Sequence, residues 1–491
     1  GFPQKVEEAA EQAAASPIEA ARQDLTGLPT FTVDPATARD FDDAVSARRE
    51  GDGLRLWIHI ADVSAFVRPG SILEKEAFLR ANSTYVPTSV EPMLPHSLSS
   101  GVCSLSPGEE RLAVTSEMLL SGSGEVTSAS FYRSRIRSDA RLDYDQLDQI
   151  FAGRESAPEI VAEQLDLARK AAAILAELRK GNALEVNSAE PSFEFDDEGN
   201  VTRAVAERAT EAHRLIEQLM VLTNEQVAGL TVNRGIPSVY RVHEMPDPDR
   251  VERMLAQLAS LELPAPPVPS GMGPSTAGQL AVEASRSVAK EAARRGHGAT
   301  AYSSLVLRSL KPARYLEKNL GHAGLGSEAY CHFTSPIRRF PDLLVHRALL
   351  SAVGGGEEAP STGDAAEAAL HASEREREAM ILERDADDIC AAFLLERELF
   401  QEGYEKRFEG EVSGVIRSGA FVRFNGRLGD VYEGFVPARR IRGERFELNE
   451  EETSLVGSKT GRKVSLGDAI AVQVEKVDAP RGRVDLDPAD G

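Results

Sequence analysis

Cysteine is scarce in this chain of 491 residues, and the three that occur, Cys103, Cys331 and Cys390, lie far apart without CxxC spacing. An odd number at such distances argues against a disulfide framework or a zinc site and is typical of reduced thiols in a cytoplasmic protein. Long apolar runs are missing as well. No stretch approaches the roughly 18 residues that a membrane span requires, and no signal peptide is visible, so we expect no membrane partner.

Positive charge is also in short supply: Lys and Arg number 56 against 78 Asp and Glu, which gives a net charge of −22. Such a balance disfavours non-specific association with nucleic acids or anionic membranes. The deficit is uneven, because residues 405–491 hold 15 basic and 16 acidic residues and the remaining −21 falls on residues 1–404. A polyanionic ligand would therefore need positive charge that is concentrated locally.

Aspartates cluster in one short segment that follows an apolar, β-prone run. Asp34, Asp40, Asp42 and Asp43 fall within ten residues, and carboxylates this close repel one another unless protons or a cation intervene. Oxygen ligands suit a hard divalent ion such as Mg²⁺, which typically takes a few carboxylates and leaves its other positions to water and phosphate. The segment therefore indicates a metal site.

Other interpretations compete for this segment. A solvated acidic turn is about as frequent as a metal site for such a pattern. An EF-hand would place glycine sixth and glutamate twelfth in the loop, but Val45 and Gly51 occupy those positions when counted from Asp40. The DFDD string also resembles the acid motif of terpene cyclases, which need an aromatic-lined pocket, and only 6% of the chain is aromatic.

Before residue 405, predicted strands are followed by predicted helices. Strand-like patterns span residues 54–60, 111–120 and 129–136, and helices are predicted over 157–180, 211–230 and 365–400. Residues 5–24 predict a helical leader, and the Pro- and Gly-rich residues 263–275 predict a surface loop.

The last stretch differs in kind. It contains five short β-prone runs separated by glycines, at residues 410–415, 419–424, 433–436, 469–474 and 484–486. Five strands of this length fit the OB-fold, a closed Greek-key barrel. The pattern resembles the S1-type RNA-binding domain, first between Gly410 and Val422 and again at the sequence EGFV.

Side chains on the second of these runs are candidate RNA contacts. Phe421 and Phe424 offer faces on which bases stack, while Arg423 and the loop of residues 439–442 offer charge for the backbone. Because the two phenylalanines are three positions apart on a strand, they face opposite sides, and we expect one of them in the barrel core.

Residues 333–339, with the sequence FTSPIRR, predict a helix start with Ser335 at the N-cap and proline at the first helical position. Free N–H groups at such a start bind anions, and Arg338 can hold a phosphate through two hydrogen bonds. A salt-bridged stripe of Arg338, Asp342 and His346 is the alternative. An arginine in the first turn opposes the helix dipole, which favours the phosphate.

Two further sets of polar residues fall on predicted helices. His213, Glu217 and Asn224 share one helix face, where we regard them as supporting residues. Glu383 lies on the long charged helix near the end of this part of the chain. By itself it would belong to a solvated face.

In this order, the pieces resemble the RNB catalytic domain of the RNase II/RNase R exoribonuclease family. The resemblance runs from about Asp24 to the end of the chain. It rests on the motifs TVDPATARDFDDA at 32–44, LSSGVCSL at 98–105, AHRLIE at 212–217, YRVHE at 240–244, YCHFTSPIRRFPDLLVHR at 330–347 and ERD at 383–385. It implies an α+β chain, with a mixed α/β RNB domain over residues 25–404 and a C-terminal S1-type OB-fold β-barrel over 405–491. Residues 1–24 would be a helical leader or the remnant of an upstream domain.

The resemblance also implies an activity, the processive 3′→5′ hydrolysis of single-stranded RNA to nucleoside 5′-monophosphates. One or two Mg²⁺ ions would take part, with Mn²⁺ as a substitute. Carried over to this chain, Asp34, Asp40 and Asp43 hold metal, and Asp42 is the carboxylate most needed for the chemical step.

The remaining roles follow from the same resemblance. Arg338 stabilises the scissile phosphate, Glu383 lies close to the terminal nucleotides, and Tyr85 stacks on a base near the 3′ end. Further RNA contacts are expected from Ser335, Arg339, His346, Phe421, Arg423 and Phe424. The protein is expected to be monomeric and cytoplasmic.

Two departures from the family pattern stand out. Family members carry one or two cold-shock OB domains ahead of the RNB domain, and residues 1–24 are too few for one. Glu244-Met245-Pro246 stands where some members stack an aromatic residue, which leaves Tyr85 as the end clamp. A catalytically silent RNA-binding protein and an endonuclease remain alternative interpretations.

Overall fold

The computed structural model describes residues 1–181, 183–184, 190–441 and 443–489. Its first helices are α1 (Gln4–Ala15), α2 (Ile72–Arg80), α3 (Tyr144–Phe151), α4 (Ala162–Arg179) and α5 (Glu211–Arg234). The strands of this part are β1 (Gln23–Asp24), β2 (Phe31–Asp34), β3 (Asp43–Glu50), β4 (Gly53–Ala61), β5 (Thr84–Val86), β6 (Ser89–Glu91), β7 (Glu110–Leu120), β8 (Val126–Arg137), β9 (Ala140–Asp143), β10 (Glu190–Phe195) and β11 (Val201–Glu207). A π-helical turn covers Ser97–Val102, and short 3₁₀ turns cover Val63–Ala65 and Glu159–Val161.

The second part is largely helical until the barrel begins. Its elements are β12 (Tyr240–Val242), α6 (Pro248–Ser260), α7 (Pro274–Arg295), α8 (Ala299–Ser309), β13 (Arg314–Leu316), α9 (Phe340–Ala352) and α10 (Thr362–Glu402). The last strands are β14 (Arg407–Ile416), β15 (Gly419–Phe424), β16 (Tyr432–Pro437), β17 (Phe446–Leu448), β18 (Ser454–Gly457), β19 (Lys463–Ser465), β20 (Ala469–Asp478) and β21 (Arg483–Pro488), with 3₁₀ turns at Ala438–Arg440 and Ala479–Arg481.

Seven strands form one sheet in the order β1-β8-β7-β4-β3-β2-β9. Neighbours are antiparallel except that β1 runs parallel to β8 and β2 runs parallel to β9. The alternation at residues 54–60 indicated a half-buried strand, which is wrong, because in β4 only Arg55 is partly exposed. The polar His59 tolerates burial since its ring nitrogens bond to Ser46 and Thr115 at 3.2 and 2.9 Å.

The helices α4, α5 and α10 confirm the three predicted helices, with ends shifted by a few residues. The prediction of one helix over residues 5–24 is wrong beyond Ala15, because Pro17 cannot follow in a continuing helix. α1 is also packed rather than detached: Val6 and Ala10 are buried, and the helix contacts α2 and the π-helical turn. Among the described helices, none is at once long enough and apolar enough to cross a membrane.

Two hydrophobic cores organise the molecule. The first lies between the seven-stranded sheet and helices such as α4, α5 and α9. The second unites α6, α7, α8 and the end of α10 with the interior of the C-terminal barrel, so that Met254 and Leu395 belong to the same core as Val422. The C-terminal barrel is therefore packed into the rest of the chain.

The strands β14, β15, β16, β21 and β20 close into a barrel, which confirms the predicted OB-fold plan. The five predicted β-prone runs fall on these five strands. Glu398 of α10 is buried against the barrel and accepts hydrogen bonds from Lys406 Nζ at 2.6 Å, the Leu428 N–H at 2.9 Å and the Tyr432 hydroxyl at 3.1 Å. A charged residue thus anchors the long helix to the barrel.

Candidate active site

Two of the four aspartates lie at the same end of the neighbouring strands β2 and β3, and we call this end of the sheet the acidic edge. β2 ends at Asp34 and β3 begins at Asp43, and the two strands are antiparallel neighbours. The end of one strand therefore lies beside the start of the other. On its other side β2 pairs with β9, which ends at Asp143 opposite Asp34. The loop of residues 35–42 projects from this edge.

Hydrogen bonds from a distant motif hold this loop in place. The Phe41 N–H donates to Ser104 Oγ at 3.0 Å, and that hydroxyl donates to the Arg39 carbonyl at 2.9 Å. The Leu105 N–H donates to the Phe41 carbonyl at 3.0 Å. The LSSGVCSL motif, whose role the sequence left open, thus supports the acidic loop.

Asp42 is 4% exposed and faces the turn that precedes α9. Its Oδ1 accepts a hydrogen bond from the Ile337 N–H at 2.9 Å, and its Oδ2 lies 3.5 Å from Arg338 Nε. The Arg338 side chain is about half exposed, and its Nη2 donates to Ser335 Oγ at 3.1 Å. One edge of the guanidinium therefore faces Asp42 while part of it remains open to solvent.

The helix start predicted at Ser335 is wrong. α9 begins at Phe340, with Arg339 at the N-cap and Pro341 in the first turn. A helix that began at Ser335 would place Pro341 in its interior, where proline lacks an N–H and clashes with the preceding turn. The anion that the turn holds is a carboxylate of the protein itself, since the Ile337 N–H donates to Asp42.

The carboxylates at this edge are poorly balanced by positive charge. Burial raises the pKa of Asp34 to about 8, the charges of Asp43 and Asp42 add to the shift, and Arg338 opposes it. Burial raises the pKa of Asp43 to about 6, against the influence of Arg338 and Arg339. Burial also raises the pKa of Asp42 well above its usual value, although Arg338 lowers it. The protein alone therefore does not stabilise all these charges.

Unpartnered oxygens mark where a cation would be held. Oδ2 of Asp34 and Oδ2 of Asp43 are buried and accept no hydrogen bond. A buried carboxylate oxygen in this state is costly until a proton or a cation reaches it. In the ranges that the structure describes, no three His, Cys, Asp or Glu side chains already have the geometry of a metal site. The donors fit a hard cation in type and charge, with water and phosphate needed to complete its ligands.

Arg339 and Ser335 support the turn. Arg339 forms two hydrogen bonds to the Asp342 carboxylate at 2.9 and 2.8 Å, and Asp342 Oδ1 also accepts the Ser335 N–H at 2.8 Å. Asp342 is fully buried and Ser335 is 3% exposed. The Arg338–Asp342 pair of the alternative interpretation does not form, because Arg339 binds the Asp342 carboxylate instead.

His346 and Phe424, both predicted to contact RNA, lie in the hydrophobic cores. His346 is fully buried, stacks on Phe333 at 4.2 Å and donates from Nε2 to the Phe333 carbonyl at 2.9 Å. Burial lowers its pKa to about 4. Phe424 is 2% exposed and packs against Phe408 and Tyr432. Burial of this extent contradicts a direct contact of either side chain with RNA.

Tyr85 and Glu383 lie together beside the acidic loop. β5 contacts α10, and the Tyr85 N–H donates to Glu383 Oε1 at 2.8 Å. The Tyr85 side chain remains 40% exposed. Burial of part of the ring raises the pKa of Tyr85 to about 12, with Arg338 opposing the shift and Asp40 and Asp42 adding to it. Residues from three distant motifs therefore meet here.

Tyr144 belongs to the same edge, although no sequence pattern singled it out. It opens α3 directly after Asp143 and stacks on His213 with ring centroids 3.9 Å apart. Its pKa is raised by burial and then by the Asp43 and Asp34 carboxylates. Its position depends on the parallel pairing of β2 with β9, which sequence periodicity does not predict.

Asn224 and Glu217, predicted as supporting residues, have different surroundings. Asn224 is buried, accepts the Phe333 N–H at 2.9 Å and donates to the Tyr330 hydroxyl at 3.1 Å. It therefore orders the segment that leads into the arginine turn. Glu217 is exposed on the same helix.

On the barrel, Phe421 is 36% exposed while Phe424 faces inward, which confirms the predicted division between the two rings. Arg423 Nε lies 3.5 Å from a glutamate oxygen on the neighbouring strand. Arg440 pairs with two acidic residues of the barrel. Arg442, which completes the predicted basic loop, lies outside the described residues. The exposed aromatic face of the barrel is thus centred on Phe421.

Comparison with known proteins agrees with this geometry. Residues 22–355 match the RNB domain, and residues 403–487 match the S1 RNA binding domain. The chain is similar to Ribonuclease R 1 of Lactococcus lactis, at 34% identity over 508 residues, or 99% of this chain and 59% of that protein. It is 35% identical to Ribonuclease R of Escherichia coli over 488 residues, or 95% of this chain and 57% of that protein. The chain therefore spans somewhat more than half the length of these curated relatives.

Solved structures show the same fold. The apo form of Mycoplasma genitalium RNase R matches with a TM-score of 0.88 and 26% identity, over 99% of this chain and 75% of that one. The complex of the same protein with ribose-methylated single-stranded RNA matches with a TM-score of 0.87.

Proposed function

This chain belongs to the family of RNB-domain ribonucleases, and from that membership we propose that it hydrolyses single-stranded RNA processively from the 3′ end. The products are nucleoside 5′-monophosphates. Residues 25–404 carry the hydrolytic site, and residues 405–491 add an RNA-binding surface centred on Phe421. The protein acts as a monomer in the cytoplasm.

The observation that carries the proposal is the incomplete neutralisation of the acidic edge. Asp34 and Asp43 each have a buried oxygen without a partner, and burial raises the pKa of both carboxyl groups. With Asp40 they would hold one or two Mg²⁺ ions, or Mn²⁺ in their place. A bound ion supplies Lewis-acid polarisation of the phosphate and a water of lowered pKa.

Asp42 and Arg338 lie side by side and act together on the phosphodiester. The Ile337 N–H fixes Asp42 through Oδ1, so Oδ2 is the oxygen that can accept a proton or orient a water. Arg338 reaches toward that oxygen with Nε and has a half-exposed guanidinium with which to offset charge on the transferring phosphate. Pre-organised charge of this kind favours the transition state.

Tyr85 and Glu383, which lie beside the acidic loop, hold the 3′ end of the RNA. The exposed Tyr85 ring offers a stacking surface for the terminal base, and Glu383 fixes the Tyr85 backbone by a hydrogen bond. Stacking on a ring accepts any base. Hydrolysis without sequence preference is therefore expected.

Gel analysis of 5′-end-labelled single-stranded RNA tests the function. The expected result, only when Mg²⁺ is present, is loss of the full-length band and direct appearance of a short 5′-labelled end product, with few intermediates because a processive enzyme stays on one strand. Internal fragments as the first products would indicate an endonuclease. Intact RNA with retained binding would indicate a catalytically silent RNA-binding protein.

A further inference from the structure

A basic cleft lies where the helices of the second core meet the barrel. Its volume is about 730 Å³, and α6, α8 and the turn between β14 and β15 contribute to its walls. Its charged lining consists of four arginines and one glutamate, a net charge of +3: Arg250, Arg253, Arg308, Arg417 and Glu452. This concentration of positive charge occurs in a chain whose net charge is −22.

Ordinary structural roles account for only two of the arginines. Arg253 pairs with Glu452 at 2.7 Å, and with side chains 60% and 57% exposed this pair adds little stability. Arg308 lies in the last turn of α8, where a cation complements the helix dipole. Neither explanation applies to the other two, Arg250 and Arg417.

Arg250 is placed at a cost, and Arg417 has no structural role in its turn. Arg250 lies in the first turn of α6, where the dipole disfavours a cation. Arg417 follows β14 in an exposed turn. Within the described part of the chain, no ion pair is formed by either side chain. A ligand that carries negative charge would explain both positions.

The surface between the arginines is partly apolar, with Gln257 and Ser309 as its uncharged polar residues. Buried Met254, Leu305 and Val415 line the cleft, and Ile416 at its edge is 42% exposed. A small compact anion could bind the arginines but would leave the exposed Ile416 uncovered. A nucleic acid strand, with phosphates at intervals and apolar base and sugar faces between them, matches both features.

We propose that this cleft is a second binding surface for the RNA backbone, separate from the hydrolytic site. The inference rests on the proposed function, because RNA is taken as the substrate. The cleft is continuous with the barrel surface described above, since β14 pairs with β15 from Ile416 opposite Gly419 to Gly414 opposite Phe421. Its apolar residues belong to the second core, whereas the acidic edge borders the first. A long strand can therefore engage both sites, and a very short one cannot.

Binding measured by fluorescence anisotropy in EDTA tests the cleft without hydrolysis. The variant R250Q/R417Q removes two charges from two different elements, and R68Q/R137Q removes two exposed charges elsewhere. The probes are labelled RNAs of about 5 and about 30 nucleotides. The longer one exceeds the roughly 4–16 nucleotides that one OB-fold covers, and the shorter one lies at the lower end of that range. Equal melting temperatures of the three proteins establish that each is folded.

The expected result is specific to one variant and one probe. R250Q/R417Q should bind the longer RNA about tenfold more weakly at low salt, and the slope of log affinity against log salt should fall by about 1.4 for two lost phosphate contacts. Its affinity for the shorter RNA, its cleavage of the shorter RNA in Mg²⁺ and the binding curves of R68Q/R137Q should match wild type.

Three outcomes would overturn the inference. Equal weakening of RNA binding by both double variants would show a general charge effect. Full affinity of R250Q/R417Q for the longer RNA would show that the cleft does not bind RNA and would favour an acidic protein surface as its ligand. If the wild type degrades RNA from the 3′ end in either case, only the cleft is rejected. Wild-type protein that neither binds nor cleaves RNA would reject the proposed function together with the cleft.

Discussion

Asp42 and Asp62 are neighbours in the fold with opposite surroundings. Asp42 comes directly before β3 and Asp62 directly after β4, and the Ala61 N–H donates to the Asp42 carbonyl at 2.8 Å. Both side chains are buried, at 4% and 0% exposure. Asp62 nevertheless has two guanidinium partners, Arg133 and Arg22, the latter at 2.7 Å. Asp42 has one arginine at 3.5 Å and other carboxylates around it.

The protonation of the two residues differs accordingly. Burial would raise the pKa of Asp62, but Arg133, Arg22 and the Ser64 hydroxyl together lower it. Burial raises the pKa of Asp42, and Arg338 only partly offsets the shift. A charge that serves the fold is thus neutralised within the protein. Asp42 is left incompletely neutralised, as expected of a carboxylate that takes part in the proposed hydrolysis.

The largest expected effect comes from Asp42→Asn, which tests the functional half of this contrast. We expect hydrolysis to fall by at least about 10³-fold, because the group that handles the proton or water is lost. The amide oxygen still accepts the Ile337 N–H, so RNA affinity should stay within about threefold and the fold should be kept. Single-turnover cleavage and anisotropy measure the two quantities.

Substantial turnover by purified Asp42→Asn would reject the role of this carboxylate. A large drop in its melting temperature would place Asp42 with Asp62 as a residue of the fold, and the contrast between them would disappear. Since Asn removes a buried charge that is poorly balanced, the melting temperature should instead be unchanged or slightly higher.

Asp62→Asn tests the structural half. The substitution leaves Arg22 buried without its carboxylate, while Arg133 keeps its ion pair with Glu357. The free energy of unfolding should therefore fall by about 3 kcal/mol, the lower end of the range for a broken buried pair. Urea denaturation followed by circular dichroism measures the loss. Cleavage per folded molecule should match wild type at a temperature where the variant is folded, and a selective loss of cleavage would show that Asp62 also acts in the site.

Metal and pH together probe the unbalanced carboxylates of Asp34 and Asp43. Without metal, the folded protein keeps protons that the unfolded chain releases between about pH 4 and the folded pKa values of about 6 and about 8. Stability therefore falls as pH rises through this window. Mg²⁺ binds the deprotonated carboxylates and should therefore stabilise the protein more at pH 8 than at pH 5. At pH 8 and 100 times its Kd at that pH, Mg²⁺ should raise the free energy of unfolding by about 2–3 kcal/mol.

Melting curves with Mg²⁺ and with EDTA at the two pH values measure this difference. Asp34→Asn is the matched variant, because it removes the carboxyl group with the higher pKa of the two. Its metal-free stability should depend less on pH, and Mg²⁺ should raise its melting temperature less. An equal Mg²⁺ effect at both pH values in wild type would contradict a cation at this edge.

Local chemistry explains which parts of the site the sequence predicted. Asp34, Asp42 and Asp43 are close in sequence, on a short loop between two antiparallel strands, so they stay close in space. The five strands of the barrel were predictable because their runs are short, alternating and separated by glycines. Phe421 and Phe424 could be assigned to opposite faces from the two-residue period of a strand.

Long-range pairing explains what was missed. The turn at residues 335–338 was predicted as a helix start because Pro336 follows a serine, whereas Pro341 decides where the helix begins. His346 looked like part of a polar stripe, and only the packing of Phe333 shows that it is buried. Tyr144 lies at the acidic edge because β2 pairs with β9, and no local sequence pattern predicts this pairing.

The smallest expected effect concerns Tyr85. Compared with Tyr432, it shows among the aromatic residues the same difference that separates Asp42 from Asp62. Tyr432 is 1% exposed and its hydroxyl donates to Glu398 at 3.1 Å, so its contacts are complete within the protein. Tyr85 is 40% exposed, and its hydrogen bond to Glu383 is donated by the backbone N–H. Truncation of the Tyr85 side chain therefore leaves that bond in place.

Tyr85→Ala should change where degradation stops rather than how fast it starts. Base stacking on an aromatic ring is worth about 1–3 kcal/mol whatever the base, and a long RNA has many other contacts that make up for its loss. A short RNA has few, so the variant should release a longer limit product while its early rate on long RNA stays near wild type. Tyr85→Phe and Tyr85→Trp should restore the short product, because stacking needs the ring and not the hydroxyl.

Denaturing gels give the product lengths, and melting temperatures show whether Tyr85 is only a packing residue. The same end product from a stably folded Tyr85→Ala protein would remove Tyr85 from the site and leave the terminal base to be held by other groups near Asp42.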